Sequence, residues 1–105
     1  MKMKFDTKVI HAAIKPDSDT GSIVTPMHQT ATYAMEKVGK DKGYDYTRSA
    51  NPTREIMEYH LAALDNGKYG IAFASGMAAI DSCLKLLKSG DHIICSDDVY
   101  GRTYR

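Results

Sequence analysis

Two apolar stripes at helical spacing mark the second half of the chain. The first stripe follows Asn51-Pro52, a favourable N-cap residue and a proline at the first helical position. It ends at Asn66-Gly67, where Gly67 suits the left-handed C′ position. The second stripe follows Ser75-Gly76 and ends at Gly90. The stripes consist of Ile56, Met57, His60, Leu61 and Leu64, and of Met77, Ile80, Cys83, Leu84 and Leu87, and they predict two amphipathic helices.

Short apolar runs lie on both sides of the second helix, at residues 69–74 and 92–95. Runs of this length that alternate with helices predict buried strands. Strand, helix and strand in succession form a βαβ unit and indicate the α/β class with parallel or mixed pairing. Two strands do not make a stable sheet, so the pattern predicts the front portion of a larger protein.

The first half of the chain has little periodicity and is interrupted by glycine and proline. Only residues 7–14 indicate a short helix, with Asp6 or Thr7 as its cap. A stretch this long without regular structure is unusual inside a compact domain. We therefore expect residues 1–50 to form an extended arm that lies on another subunit, and residues 51–105 to begin an α/β domain.

Composition narrows the class of protein. The 105 residues carry 14 Lys+Arg and 13 Asp+Glu, which argues against a basic nucleic-acid surface or a polybasic membrane anchor. The apolar runs are too short to span a bilayer, and the N-terminus lacks the apolar segment of a signal peptide. Cys83 and Cys95 are expected to be small buried hydrophobes in a reduced, cytoplasmic protein, and no metal site is expected.

The junction at Ser75-Gly76 is a candidate anion site. A helix N-terminus presents free N–H groups and the positive end of its dipole, and glycine allows close approach of a ligand to the backbone. An ordinary N-cap with a glycine needed for packing explains the same residues. Neither a P-loop nor a dinucleotide-binding fingerprint is present.

Two further positions carry candidate chemistry. Tyr46 and Arg48 lie two residues apart, so in an extended segment their side chains point the same way, an arrangement suited to a phosphate. Tyr100 follows the second predicted strand, at the sheet edge where α/β proteins bind ligands, and its ring could stack on a flat molecule. The alternatives are a solvated polar loop and a half-buried aromatic that covers the sheet end.

Together and in this order, these sites resemble the Cys/Met-metabolism family of pyridoxal-phosphate enzymes, most closely the cystathionine γ-synthase and γ-lyase branch. The resemblance runs from Phe5 to Arg105. It includes Thr7-Lys8-Val9-Ile10-His11, Gln29-Thr30-Ala31-Thr32-Tyr33, Gly43-Tyr44-Asp45-Tyr46-Thr47-Arg48 with Asn51-Pro52-Thr53-Arg54, Ala74-Ser75-Gly76-Met77-Ala78-Ala79, and Asp98-Val99-Tyr100-Gly101.

The resemblance implies the arm and the start of the large domain of a fold-type I, aspartate-aminotransferase-like enzyme. It implies that Ser75 and the amides of Gly76 and Met77 hold the cofactor phosphate. The residues matching Tyr46 and Arg48 reach the same phosphate from a neighbouring subunit, and the ring matching Tyr100 stacks on the cofactor near the substrate. Asp45 and Arg105 match positions that approach the distal end of the substrate.

The implied activity is that of a lyase or transferase of trans-sulfuration, with β/γ-elimination or γ-replacement on a sulfur amino acid. The implied assembly is a cytoplasmic homotetramer, a dimer of dimers with shared sites, without a nucleic-acid or membrane partner. No lysine here matches the family's cofactor-carrying lysine, and Arg102 replaces a common glycine. The 105 residues alone are therefore expected to be inactive. The alternatives are a truncated assembly or interaction module and an unrelated phosphate-binding α/β domain.

Overall fold

In the computed structural model, residues 3–104 are described and contain four helices. They form two compact units, Met1–Ile71 and Ala72–Arg105. The first unit contains α1 (Phe5–His11) and α2 (Pro52–Leu64), and the second contains α3 (Gly76–Leu84) and α4 (Gly101–Tyr104). The boundary predicted at residue 50 concerns domains of a longer enzyme and stays a prediction.

The start of α2 follows the sequence prediction. Asn51 is the N-cap, its side-chain oxygen accepts a hydrogen bond from the Thr53 amide at 2.9 Å, and Pro52 occupies the first helical position. The Asn51 amide group also donates to Thr47 Oγ1 at 3.0 Å and to the His28 carbonyl at 3.2 Å. Asn51 is only 6 % exposed. Its side chain therefore joins the helix start to two segments of the preceding arm.

The end of α2 differs from the prediction in one residue. Asn66, and not Gly67, adopts the left-handed conformation, with φ of 55°. The Gly67 amide donates to the Ala62 carbonyl at 2.7 Å and the Asn66 amide to the Ala63 carbonyl at 3.3 Å, the pairing of a Schellman motif with asparagine at C′. Asparagine tolerates this conformation, so the helix ends one position earlier than glycine alone would indicate.

The helix α1 packs against α2 and caps its C-terminal end. Lys8 Nζ donates to the Ala63 carbonyl at 3.1 Å and to Asn66 Oδ1 at 2.5 Å. A short helix is present as predicted, but the predicted bounds of 7–14 and the cap at Asp6 or Thr7 are wrong. The helix α1 begins after Lys4 without a side-chain cap and ends at His11. It stops there because Ala13 has a φ of 58°, which no α-helix contains.

The segment between α1 and α2 has no helix or strand within the described part of the chain, as its glycine and proline residues predict. Local polar bonds replace secondary structure. The Asp17 carboxylate accepts hydrogen bonds from the Thr20 amide and hydroxyl, both at 2.8 Å, and an isolated antiparallel bridge joins Thr32 to Tyr46.

The predicted strands at residues 69–74 and 92–95 are wrong for the structure of this chain. No strand is present among residues 3–104. A strand exists only through hydrogen bonds to a neighbour, and parallel sheets need several strands with both faces covered. Here Ile71 and Ile94 are largely or fully exposed, so the apolar side chains that suggested burial face solvent.

In the second unit, α3 is shorter than its apolar stripe. It ends at Leu84, and the amides of Leu86 and Leu87 donate to carbonyls three residues earlier, at 3.2 and 3.0 Å. Tight turns of this kind unwind a helix. The expected burial of Cys83 and Cys95 is also wrong, since both thiols are free and exposed. Among the described residues, no helix is both long and apolar enough to cross a bilayer.

We predict that the 105-residue chain alone has no cooperative thermal transition. Of the described residues, only Ala12, Asn51 and Ala62 are buried, and large apolar side chains in both units are exposed. So little buried surface cannot offset the conformational entropy of the chain. Circular dichroism and calorimetry at micromolar concentration test this. A sharp two-state transition from a monomer would contradict it.

Candidate functional site

Tyr46 and Arg48 lie together on a turn of the first unit. The Arg48 guanidinium carbon is 5.0 Å from the centre of the Tyr46 ring, and both side chains are exposed. The segment is a turn and not an extended stretch, because the amides of Ser49 and Ala50 donate to the Tyr46 carbonyl at 2.9 and 3.0 Å. The predicted pairing of the two side chains is nevertheless present, held by a cation–π contact.

Backbone pairing fixes this turn to an earlier part of the arm. The Tyr33 amide donates to the Asp45 carbonyl at 3.0 Å, and the Thr47 amide donates to the Ala31 carbonyl at 2.9 Å. The Thr47 hydroxyl donates in addition to the Thr30 carbonyl. Asp45 itself is exposed, and its carboxylate accepts from the Tyr46 amide at 2.7 Å.

Side chains of α2 fix the same turn from the other side. Arg54 donates to the carbonyls of Thr47 and Ser49, and the Asn51 amide donates to Thr47 Oγ1. The Tyr44 hydroxyl donates to Glu55 Oε2 at 2.7 Å, and the Tyr44 ring packs against that of Tyr33 with centroids 5.4 Å apart. The hydrogen bond to Glu55, with burial as a further cause, raises the pKa of Tyr44 to about 12.

An open cleft of about 530 Å³ lies beside this turn. Its lining carries positive charge, because two arginines contribute to it and no carboxylate does. The lining residues are Gln29, Thr30, Ala31, Tyr46, Thr47, Arg48 and Arg54. The Arg48 guanidinium and the Tyr46 phenol at this cleft favour an anion, whereas the Arg54 guanidinium is bound to the carbonyls of Thr47 and Ser49.

The N-terminus of α3 supplies a second set of donors, in the second unit. Ser75 Oγ accepts from the Ala78 amide at 3.2 Å, so the hydroxyl proton remains available for a further acceptor. Within the described part of the chain, the amides of Gly76 and Met77 have no hydrogen-bond partner. A Cβ built on Gly76 has nothing within 4 Å. The helix start is therefore open to an anion.

Tyr100 belongs to the same unit as α3. Its carbonyl accepts from the Thr103 amide at 2.7 Å in the turn that opens α4. The Thr103 hydroxyl in turn donates to Met77 Sδ at 3.6 Å, so α4 packs on the first turn of α3. Tyr100 is 68 % exposed. A flat molecule could therefore stack on it.

The predicted site residues thus fall into one group in each unit. Tyr46, Arg48 and Asp45 lie in the first, and Ser75, Gly76, Met77 and Tyr100 lie in the second. Arg105 lies outside the described residues. The sequence reasoning did not assign a role to Arg54, although an arginine in the first turn of a helix can reach back to the loop that precedes it.

A family model described as Cys/Met metabolism PLP-dependent enzyme matches residues 6–105. The chain belongs to this family. It is 49 % identical over 105 residues to a probable cystathionine gamma-synthase of Herpetosiphon aurantiacus and 51 % identical over 104 residues to a cystathionine beta-lyase of Coxiella burnetii. These matches cover 100 and 99 % of this chain, but 33 and 27 % of those relatives.

A solved structure shows the same fold. The crystal structure of cystathionine gamma-lyase from Lactobacillus plantarum complexed with L-serine matches with a TM-score of 0.80 and 45 % identity. The match covers 98 % of this chain and 27 % of that one. The resemblance inferred from the motifs, the fold-type I class and pyridoxal phosphate as the family's cofactor are thereby confirmed. This chain spans about a quarter to a third of the relatives' length.

The residues present fit the phosphate group of pyridoxal phosphate. The free amides of Gly76 and Met77 and the open space over Gly76 form a cradle in which backbone donors can approach an anion. The cleft offers the Arg48 guanidinium, and no carboxylate is among its lining residues. Tyr100 offers an exposed ring for the flat face of the cofactor.

We predict that Tyr44 of the complete enzyme titrates near pH 12, above its ordinary value of 10. Because the folded pKa is raised, the stability that this hydrogen bond contributes is present below pH 10 and is lost between pH 10 and 12. The measurement is the difference in phenolate absorbance between the enzyme and its Tyr44→Phe variant during titration. In a Glu55→Gln background the midpoint should fall. A midpoint near 10 with Glu55 intact would contradict the assignment.

Proposed function

We propose that this chain is the N-terminal part of a cytoplasmic enzyme of trans-sulfuration. It uses pyridoxal phosphate for β/γ-elimination or γ-replacement on a sulfur amino acid. Family membership and relatives named as cystathionine synthases and lyases support the reaction class. Two free cysteines support a reducing compartment, where thiols persist.

The observation that carries the proposal is the contact between α4 and the first turn of α3. Through Thr103 and Met77, the segment that bears Tyr100 is tied to the helix start that bears the free amides. An aromatic ring and an anion cradle on connected elements suit a ligand that is flat at one end and has a phosphate at the other. Pyridoxal phosphate has this shape.

In this proposal, each residue has a separate task. Ser75 and the amides of Gly76 and Met77 bind the phosphate, and Tyr100 stacks on the ring. Asp45 and Arg105 approach the distal end of the substrate. When bound, pyridoxal phosphate withdraws electrons from the amino-acid carbons, which allows the bond to sulfur to break.

Tyr46 and Arg48 complete the phosphate site from a second subunit of a homotetramer built as a dimer of dimers. The part of the arm from about Gly21 to Ala50 has no periodic apolar face of its own, yet it carries Tyr46 and Arg48, which meet at an exposed, positively lined cleft. Such a surface is of use where it meets an anion held by another chain. The Arg48 guanidinium also supplies positive charge that balances the negative charge of the phosphate, which backbone amides alone do not neutralise.

The reaction class is tested with the complete enzyme loaded with pyridoxal phosphate. With cystathionine and water, elimination should release a 2-oxo acid, ammonia and a thiol-bearing amino acid. With an activated homoserine and a thiol, γ-replacement should form a thioether and release the activating group. The 105-residue chain, which has no lysine matching the cofactor-carrying position, should show neither reaction above a buffer-plus-cofactor blank. Activity of the 105-residue chain would contradict the expectation that these residues alone are inactive. An inactive complete enzyme would contradict the proposed reaction.

Arg48→Ala in the complete enzyme should weaken cofactor binding by roughly ten- to a hundredfold. A hydrogen bond to a charged group contributes about 1.5–3 kcal/mol, which corresponds to that change in the dissociation constant. Cofactor retained after dialysis and circular dichroism are the measurements. Lys37→Ala, which removes a cation from the same arm, is the control and should retain the cofactor. Unchanged affinity in Arg48→Ala would contradict the phosphate role.

Hybrids test whether Arg48 acts between subunits. Neither Arg48→Ala nor Gly76→Val should bind cofactor well alone. Mixed assemblies of the two should contain one intact site if each site draws on two chains, because both defects then fall in the other site. Hybrids that exchange subunits but are no more active than either parent would contradict the shared site.

A further inference from the structure

Arg54 makes two hydrogen bonds to the turn that carries Arg48. Its Nη1 donates to the Thr47 carbonyl at 2.9 Å and its Nη2 donates to the Ser49 carbonyl at 2.7 Å. These two carbonyls belong to the residues immediately before and after Arg48. The guanidinium therefore spans the turn and restrains the backbone on both sides of Arg48, which sets the direction of the Arg48 side chain.

The geometry of this contact depends on arginine. A guanidinium carries donors in a fixed planar fork, so two carbonyls bound at once define the orientation of the turn. A lysine offers a single rotating ammonium group and cannot span both acceptors in the same way. The Arg54 side chain is 32 % exposed, and its Nε is 4.0 Å from Glu58 Oε1 on the next turn of α2. Since it is largely shielded, solvent competes less for its donors than at an open surface.

The turn is held by backbone bonds to Ala31 and Tyr33 on one side and by polar bonds from Asn51 and Arg54 on the other. It lies in a segment without helix or strand within the described residues, and Tyr46 and Arg48 project from it into an open cleft. Apolar packing does not fix it, because Tyr46 is itself exposed. The polar bonds from Arg54 add to this backbone pairing the restraint on both sides of Arg48 that a loop needs to present a cation in one place.

We propose that Arg54 is a positioning residue for cofactor binding: it holds the turn of residues 46–49 on α2 so that Arg48 and Tyr46 are presented to the phosphate in a fixed direction. Arg54 acts through the turn and does not itself bind the phosphate. This inference rests on the proposed role of Arg48.

The test uses apoenzyme prepared from the complete protein and measures its dissociation constant for pyridoxal phosphate. Arg54→Ala should weaken binding about tenfold, with kcat at saturating cofactor changed less than about twofold. Arg54→Lys keeps the charge but loses the fork, and it should bind with intermediate affinity. If Arg54→Ala does not fold, Arg54→Lys carries the test, since a weakened affinity with normal circular dichroism is then the expected result. Wild-type affinity in Arg54→Lys would in that case overturn the inference.

A double-mutant cycle separates this inference from the proposed function. If Arg54 acts only through Arg48 and its turn, replacing Arg54 should cost much less affinity in an Arg48→Ala background than in the wild type. Fully additive effects, or no effect of Arg54→Ala alone, would overturn the positioning role while Arg48 keeps its own. No effect of Arg48→Ala on affinity would overturn the proposed function, and the positioning role with it.

Glu58→Gln is the matched control. It removes the charge beside Arg54 Nε and keeps a side chain of the same shape that can still accept a hydrogen bond. If the carbonyl fork is what matters, Glu58→Gln should bind cofactor with wild-type affinity. If Glu58→Gln lost as much cofactor affinity as Arg54→Ala, the ion pair on α2, and not the hydrogen bonds of Arg54 to the turn, would set the affinity. That result would overturn the inference.

Discussion

The buried side chain of Asn51 is the constraint on which the first unit depends. One amide group caps α2, binds the Thr47 hydroxyl and binds the His28 carbonyl, so three stretches of chain meet at a single residue. Apolar packing does not do this work, because few side chains in the described residues are buried. A buried amide left unpaired would be costly, which means that the arm must keep its path as long as α2 is formed.

This arrangement explains how an arm without a hydrophobic core can hold the side chains of Tyr46 and Arg48 in place. The turn at residues 46–49 is tied to α2 by Asn51 and Arg54, and to the earlier arm by backbone bonds around Thr47. The exposed side of the turn is left to Tyr46 and Arg48. In the second unit, α3 offers its first amides in a similar way: Ser75 accepts from the Ala78 amide, and the amides of Gly76 and Met77 before it remain available. Each unit thus satisfies its own structural bonds and keeps separate donors for an anion.

The sequence predicted what depends on local chemistry. Asn51-Pro52 and Ser75-Gly76 started helices as expected, because capping is decided within four residues. The prediction of strands at 69–74 and 92–95 was wrong. A strand needs hydrogen bonds to a neighbouring strand, and an apolar run does not show that such a neighbour is present. Cys95 is exposed for the same reason, and the expected burial of Cys83 on α3 is also wrong. Of the site, the pairing of Tyr46 and Arg48 was predicted for an extended segment but is formed by a cation–π contact on a turn. The bonds of Arg54 to two carbonyls depend on the fold of that turn and were not predictable from residue types alone.

A crystal structure of the complete enzyme with pyridoxal phosphate bound would test the central claim most directly. That claim is that one phosphate is held by the Ser75-Gly76 helix start of one subunit and by the Tyr46–Arg48 turn of another, each of which is preorganised by its own helix start. The account predicts that the phosphate accepts hydrogen bonds from Ser75 Oγ and the amides of Gly76 and Met77 of one subunit. It predicts further bonds from Tyr46 and Arg48 of a second subunit, with Arg54 still bound to the carbonyls of Thr47 and Ser49. A phosphate bound without Arg48, or with Arg48 supplied by the same subunit as Gly76, would contradict it.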